Sequence, residues 1–210
     1  MGFIWLSILI LCSGLGYLYA LKMRSTYSMY ILKPLTMALI IWFALLTDGF
    51  TSSYGVWIVI GLCFSVCGDV FLMLPSDRFL QGLISFFIAH ICYIAAILTE
   101  TGGSPSIVST TILLILAVLY FFILKPGIIK QSGKTMLLPV VLYIAVISLM
   151  LWEAVGIGQG IVFSAALLFY ISDAVLAWDR FVRPFRLGHP IVMVTYFSAQ
   201  YLFAYSILVI

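Results

Sequence analysis

Apolar residues run along this chain in blocks of about 20, separated by short polar connections, instead of recurring at the spacing of a half-buried helix or strand. Eight blocks stand out, at about residues 3–21, 31–47, 54–74, 80–99, 106–124, 136–155, 159–178 and 190–210. A block of that length crosses the roughly 30 Å hydrocarbon core of a bilayer as a helix. The pattern predicts an all-α polytopic membrane protein of eight transmembrane helices, with residues 1–210 forming a single transmembrane domain.

Composition agrees. The chain is 65% hydrophobic and 8% charged, against about 25% charged in soluble domains. Only Met1 and Gly2 precede the first block, with no basic leader, so that block is expected to be a permanent span and not a removed signal. Charge adds an orientation. All ten Lys and Arg fall in or beside the connections after the first, third, fifth and seventh blocks: Lys22, Arg24 and Lys33; Arg78; Lys125, Lys130 and Lys134; Arg180, Arg183 and Arg186. The remaining connections hold Asp48, Glu100 and Glu153. The positive-inside rule places the basic connections in the cytoplasm and both termini outside. The net charge of +3 is thus a topology signal with affinity for anionic lipid headgroups, and implies no nucleic-acid partner. The compact connections fit a bacterial plasma membrane.

Cys12, Cys63, Cys67 and Cys92 lie in apolar blocks and read as small hydrophobes. Two histidines without an HxxxH pattern are too few for a zinc hydrolase. No metal is expected.

Two polar positions break the pattern. Asp69 and Asp173 sit inside apolar blocks, where even lenient insertion scales charge a carboxylate roughly 2.5–3.5 kcal/mol at the helix centre. Asp69 lies five residues before Leu74 and Asp173 five before Trp178, on two helices running in the same direction. At 1.5 Å per residue both carboxylates sit roughly 7–8 Å inside the cytoplasmic helix end, where they can meet across a central cavity. His90 and Tyr93 share a face of the fourth helix, and Tyr196 and Gln200 one of the eighth. Ser172, Tyr170, Tyr143, Thr36 and Lys33 fall at compatible depths. Each of these supporting groups also has a plainer reading, as an interhelical hydrogen-bonding partner or, for Lys33, a snorkelling side chain.

The halves of the chain are weakly alike. Gly68-Asp69-x-x-Leu72 followed by Asp77-Arg78-Phe79 parallels Ser172-Asp173-x-x-Leu176 followed by Asp179-Arg180-Phe181. Phe87-x-Ala89-His90-x-x-Tyr93 parallels Phe197-x-Ala199-Gln200-x-x-Phe203, and Pro34 and Pro139 are each expected in the first turn of the second helix of their half. This predicts two parallel four-helix repeats, 1–104 and 105–210, about an axis along the membrane normal.

At these residues the chain resembles the YhhN family, the membrane proteins that include animal lysoplasmalogenases. The matching elements are Leu32-Lys33-Pro34-Leu35-Thr36, Phe64-Ser65-x-x-Gly68-Asp69-Val70-Phe71-Leu72-Met73-Leu74, Phe79-x-x-Gly82-Leu83-x-Ser85-Phe86-x-x-Ala89-His90-x-x-Tyr93 and Tyr170-x-Ser172-Asp173-x-x-Leu176-Ala177-x-x-Arg180-Phe181, with Gln200 on the last helix. The resemblance implies hydrolysis of the vinyl-ether bond of lysoplasmalogen to a fatty aldehyde and glycerophospho-ethanolamine or -choline. The residues suit that reaction. Protonation of the β-carbon generates an oxocarbenium ion, water captures it, and the hemiacetal collapses. One carboxylic acid and one carboxylate are needed, and two close aspartates that share a proton supply both without a cofactor. Asp69 and Asp173 are the candidate catalytic pair, their acid and base roles open. Lys33, His90, Tyr93, Tyr170, Ser172, Tyr196 and Gln200 are the candidate supporting or substrate-binding residues.

Two other classes fit intramembrane aspartates. A proton-coupled transporter or lipid carrier uses them as relays. An intramembrane aspartyl protease would carry Gly-x-Gly-Asp, but Val66 stands at its first glycine and no Pro-Ala-Leu motif is present.

Overall fold

The long apolar blocks leave the backbone no partner but itself, and in this computed structural model every one of them is α-helical. The structure describes residues 2–47, 49–100 and 102–210. Met1, Thr101 and Asp48, the last assigned above to an outer connection, lie outside the described residues. The helices are α1 (Gly2–Lys22), α2 (Thr26–Leu46), α3 (Ser53–Met73), α4 (Phe79–Leu98), α5 (Ile107–Ser132), α6 (Leu137–Gly156), α7 (Gly160–Phe181) and α8 (Gly188–Ser206), with a 3₁₀ turn at Lys134–Met136 ahead of α6. No strand occurs among the described residues. The first seven helices are long and apolar enough to cross a membrane. In α8 the apolar run is diluted by His189, Thr195, Tyr196 and Gln200. The chain is an all-α, multi-pass integral membrane protein.

Hydropathy located the helices better than it located their ends. The α2 helix begins at Thr26, five residues before its apolar block, because backbone bonding continues through the polar stretch Thr26-Tyr27-Ser28. Pro34 is therefore the ninth residue of α2 and not in its first turn as expected, and its missing N–H opens the backbone ladder one residue after Lys33. Pro139, the third residue of α6, does sit in a first turn. The α5 helix runs on to Ser132, past Pro126. There it meets the end of α7 so closely that a Cβ on Gly127 would lie 1.6 Å from the Phe181 carbonyl oxygen, so only glycine is tolerated at this contact.

The most extensive packing joins α3 to α4 and α7 to α8. Further contacts come in matched sets, α1–α2 with α5–α6, α2–α3 with α6–α7, and α4–α6 with α8–α2. Large side chains such as Phe43, Tyr54, Ile58, Leu62, Tyr93, Phe169 and Phe203 fill the centre. Ile112, Leu114, Leu116 and Leu119 of α5 are exposed, as residues facing hydrocarbon should be.

Candidate active site

The α3 helix delivers Asp69 to the bundle interior, where 2% of the residue is exposed. Gly68 permits this approach: a Cβ there would fall 2.6 Å from the Phe86 ring of α4. One carboxylate oxygen of Asp69 pairs with Lys33 Nζ of α2 at 2.8 Å. The other accepts from the Tyr196 hydroxyl of α8 at 2.7 Å. Lys33 does not snorkel. Its side chain is 9% exposed, turned inward, with the ammonium 5.8 Å from the Tyr196 ring centroid.

The α7 helix delivers Asp173. Its Oδ2 accepts a hydrogen bond from the Tyr143 hydroxyl of α6. His90 Nε2 of α4 lies 3.7 Å from the same oxygen, beyond hydrogen-bond length, and has no hydrogen-bond partner among the described residues. His90 Nδ1 is 2.6 Å from the Phe86 carbonyl oxygen. A carbonyl only accepts, so Nδ1 carries a hydrogen, and in the neutral ring Nε2 presents a lone pair to Asp173. Two acceptors face each other there unless one bears a proton. The Phe169 ring, 4.6 Å from the imidazole centroid, fixes the ring's orientation.

The two carboxylates thus have corresponding partners. Each is met by the second helix of its own half, through Lys33 or Tyr143, and by the fourth helix of the other half, through Tyr196 or His90. Among the described residues no hydrogen bond joins Asp69 to Asp173. Both line one cavity of about 590 Å³, the size of a small-molecule site, among helix ends next to the basic connections. Asp173 also lines a narrow apolar pocket of about 50 Å³ between α4, α5, α6 and α7, whereas Asp69 does not.

Of the other residues singled out, Ser172 lines the cavity and donates to the Val192 carbonyl at 3.1 Å. Tyr170 lines the apolar pocket. Tyr93 and Gln200 line neither. The Tyr93 hydroxyl donates to Gln200 Oε1 at 2.6 Å within the core, and its ring stacks on Phe203 at 4.3 Å. Sequence reasoning placed Tyr143 at a compatible depth but left ordinary interhelical hydrogen bonding open for it and did not count it among the candidate site residues, although it touches Asp173 directly. It missed the pair formed by Tyr17 and His189, 3.0 Å apart on the cavity wall. The position of His189 in the first turn of α8, beside the last basic connection, was the available signal. Among the described residues no three His, Cys, Asp or Glu side chains cluster as metal ligands.

An ion pair closes the rim. Arg180 Nη2 donates to Asp77 Oδ2 at 2.6 Å, tying the α3–α4 connection to α7, and the guanidinium lies 4.9 Å from the Phe79 ring centroid. The hydrogen bond from Arg180, reinforced by its charge, holds the Asp77 carboxyl below its ordinary range. A carboxyl depressed in the folded state adds stability that is complete above its unfolded value, about 3.9, and is lost as pH falls through the lower folded value. The Asp77 side chain is 67% exposed, so solvent screens the pair to on the order of 0.5 kcal/mol. Thermal unfolding in detergent should show a small, constant deficit for Asp77→Asn between pH 7 and about 5, shrinking below about pH 4. A deficit that grows on acidification would show that the pair does not contribute in this way.

A model described as the YhhN family matches residues 28–207. The chain is similar to the Homo sapiens protein Lysoplasmalogenase TMEM86B, 36% identical over 149 residues that cover 69% of this chain and 60% of that relative. It is 32% identical to the Bos taurus protein Lysoplasmalogenase TMEM86A over 183 residues, covering 79% of this chain and 72% of the relative. An Escherichia coli protein described as uncharacterized membrane protein YhhN is 26% identical over 192 residues, 87% of this chain and 88% of its own length. The matched region thus spans about 60% of the length of the human relative. No solved structure matches. With the family model covering most of its length, the chain belongs to the YhhN family.

Proposed function

We propose that this protein hydrolyses the vinyl-ether bond of a lysoplasmalogen, releasing a fatty aldehyde and a glycerophospho-ethanolamine or -choline. What supports this most is the difference between the carboxylates. Both face one cavity, but only Asp173 also borders the apolar pocket. In a vinyl ether the β-carbon, which must take the proton, lies on the tail side, and the carbon that water attacks lies on the headgroup side. Asp173 is then the acid, carrying the proton that its facing lone pairs on His90 and Asp173 call for, and it transfers that proton to the β-carbon. Asp69, held by Lys33 and Tyr196 on the polar side, takes a proton from the water that adds to the oxocarbenium carbon. The hemiacetal collapses to aldehyde and a glycerol hydroxyl, and the proton on Asp69 returns through the cavity. The sum is one water consumed and one C–O bond broken. The chemistry is carried by the chain's own side chains, without metal or organic cofactor.

The names of the curated mammalian relatives support the substrate class. Purified protein in nanodiscs should release aldehyde from a lysoplasmalogen and not from the saturated-ether analogue, which has no carbon to protonate. No aldehyde above that of an Asp173→Asn control would overturn the reading. Proton-driven flux in proteoliposomes would then favour a carrier.

We read all eight helices as spans arranged as two parallel four-helix repeats, 1–104 and 105–210, which the matched packing pairs and the corresponding aspartate partners support. The basic connections face the cytoplasm of a bacterial plasma membrane and both termini face outward. Cysteines placed at Ser53 and Ser132 in a cysteine-free background should label from opposite sides. Labelling of both from one side would remove the model.

A further inference from the structure

The reaction leaves an apolar groove unexplained. The α5 and α6 helices part to form a cleft of about 640 Å³, lined by residues from Thr110 to Phe122 and from Val141 to Trp152 and open along its side. In a bilayer such a face is by default covered by ordinary lipid. Two observations set this one apart. Ile144 lines both the cleft and the apolar pocket that ends at Asp173, so the two meet at a single side chain. At the other end, Trp152 Nε1 donates to Thr110 Oγ1 at 2.7 Å, tying the two helices together.

We propose that the α5–α6 cleft is the binding groove for the single alkyl chain of a lysoether phospholipid, entered past Ile144 from the Asp173 end and closed at Trp152. This rests on the proposed reaction and extends it to the tail. Charge and polarity fall in the order such a molecule requires. Lys33 and Arg180 line the polar cavity where a phosphate headgroup sits, Asp173 stands at its junction with the apolar pocket, and beyond Ile144 the wall is almost wholly apolar. Length fits as well. The eight steps along the helix from Ile144 to Trp152 rise about 12 Å, close to the roughly 15 Å of hydrocarbon in one leaflet. Ala117 and Ala145, both small, line the cleft between these ends, where a methylene chain needs width.

The test is photolabelling with a saturated-ether lysophospholipid carrying a diazirine near the end of its tail, in nanodiscs, with adducts mapped by mass spectrometry. Adducts are expected on α5 and α6 between Ala117 and Trp152, reduced on the order of tenfold by Ile144→Trp and by Ala145→Trp, which fill the groove at two separate points. A diacyl probe with the same diazirine should label there only as bulk lipid does, at a lower level that neither substitution changes. In turnover, Ile144→Trp should shift the ratio of kcat/KM for long-tail over short-tail lysoplasmalogens by on the order of tenfold against the long tail, the discrimination a few methylenes provide. If either substitution unfolds the protein, the other still blocks the groove. Adducts on other helices, labelling unchanged by both substitutions, or equal labelling by the diacyl probe would overturn the proposal. Because the probe is not hydrolysable, labelling without aldehyde release refutes the reaction and leaves the groove. Aldehyde release with tail adducts elsewhere refutes the groove and leaves the reaction.

Discussion

Asp173→Asn and Asp69→Asn should each lower aldehyde release from lysoplasmalogen by about 10²–10⁴-fold, the range a positioned acid or base contributes. Asparagine keeps the volume of the side chain and its hydrogen-bonding capacity, so Tyr143 still has an acceptor at 173 and Tyr196 one at 69. What disappears is a proton to give or a charge to receive one. The double variant should be little worse than the more damaging single one, because groups acting in one proton cycle do not contribute independently. The two variants should differ in character. Asp173→Asn removes proton delivery to carbon and should lower kcat with substrate binding retained. Asp69→Asn also leaves Lys33 without its anion and should disturb the cavity wall. His90→Gln should cost less than either, since His90 reaches the substrate only through Asp173. Aldehyde formation by monodisperse protein at equal concentration is the readout. Near-wild-type turnover by either Asn variant would remove that residue from the mechanism.

The parts of this site legible in the sequence are those whose cost is visible there. A carboxylate inside an apolar block contradicts its surroundings, which singled out Asp69 and Asp173 before any contact was known; the equal spacing from helix ends did not hold, since α3 stops four residues after Asp69 whereas α7 runs on for eight after Asp173. Membrane class and helix positions were legible for the same reason. Partner choice was not. Lys33 looks like an interfacial lysine because it follows a polar stretch, but α2 starts at Thr26, which carries Lys33 a further turn and more into the bundle and onto Asp69. Tyr143 and Tyr93 are indistinguishable as tyrosines in apolar helices, and only the packing of α6 against α7 decides that Tyr143 meets Asp173 while Tyr93 is enclosed with Gln200. The groove between α5 and α6 leaves no mark, since lipid-facing and tail-facing residues have the same composition.

Lys33→Met should destabilise the folded protein by about 3 kcal/mol, the lower end of the range for breaking a buried ion pair, because this pair borders an open cavity. The loss comes less from the attraction removed than from the carboxylate left behind, with Tyr196 as its remaining donor. Asp69→Leu should be comparably damaging, since it leaves the Lys33 ammonium without its anion, beside the Tyr196 ring. Combining the two replaces an ion pair with two apolar side chains of similar volume, and such exchanges are often neutral or stabilising. The double variant Lys33→Met/Asp69→Leu should therefore recover most of the stability lost in either single one, a coupling of the size contacting charges give. Its hydrolytic activity should stay at the level of Asp69→Asn, because recovered folding does not restore a base. Unfolding midpoints in one detergent, measured beside aldehyde release, separate the two quantities. Losses that simply add in the double variant would mean that Lys33 and Asp69 stabilise the bundle independently, and restored turnover would mean that the base lies elsewhere.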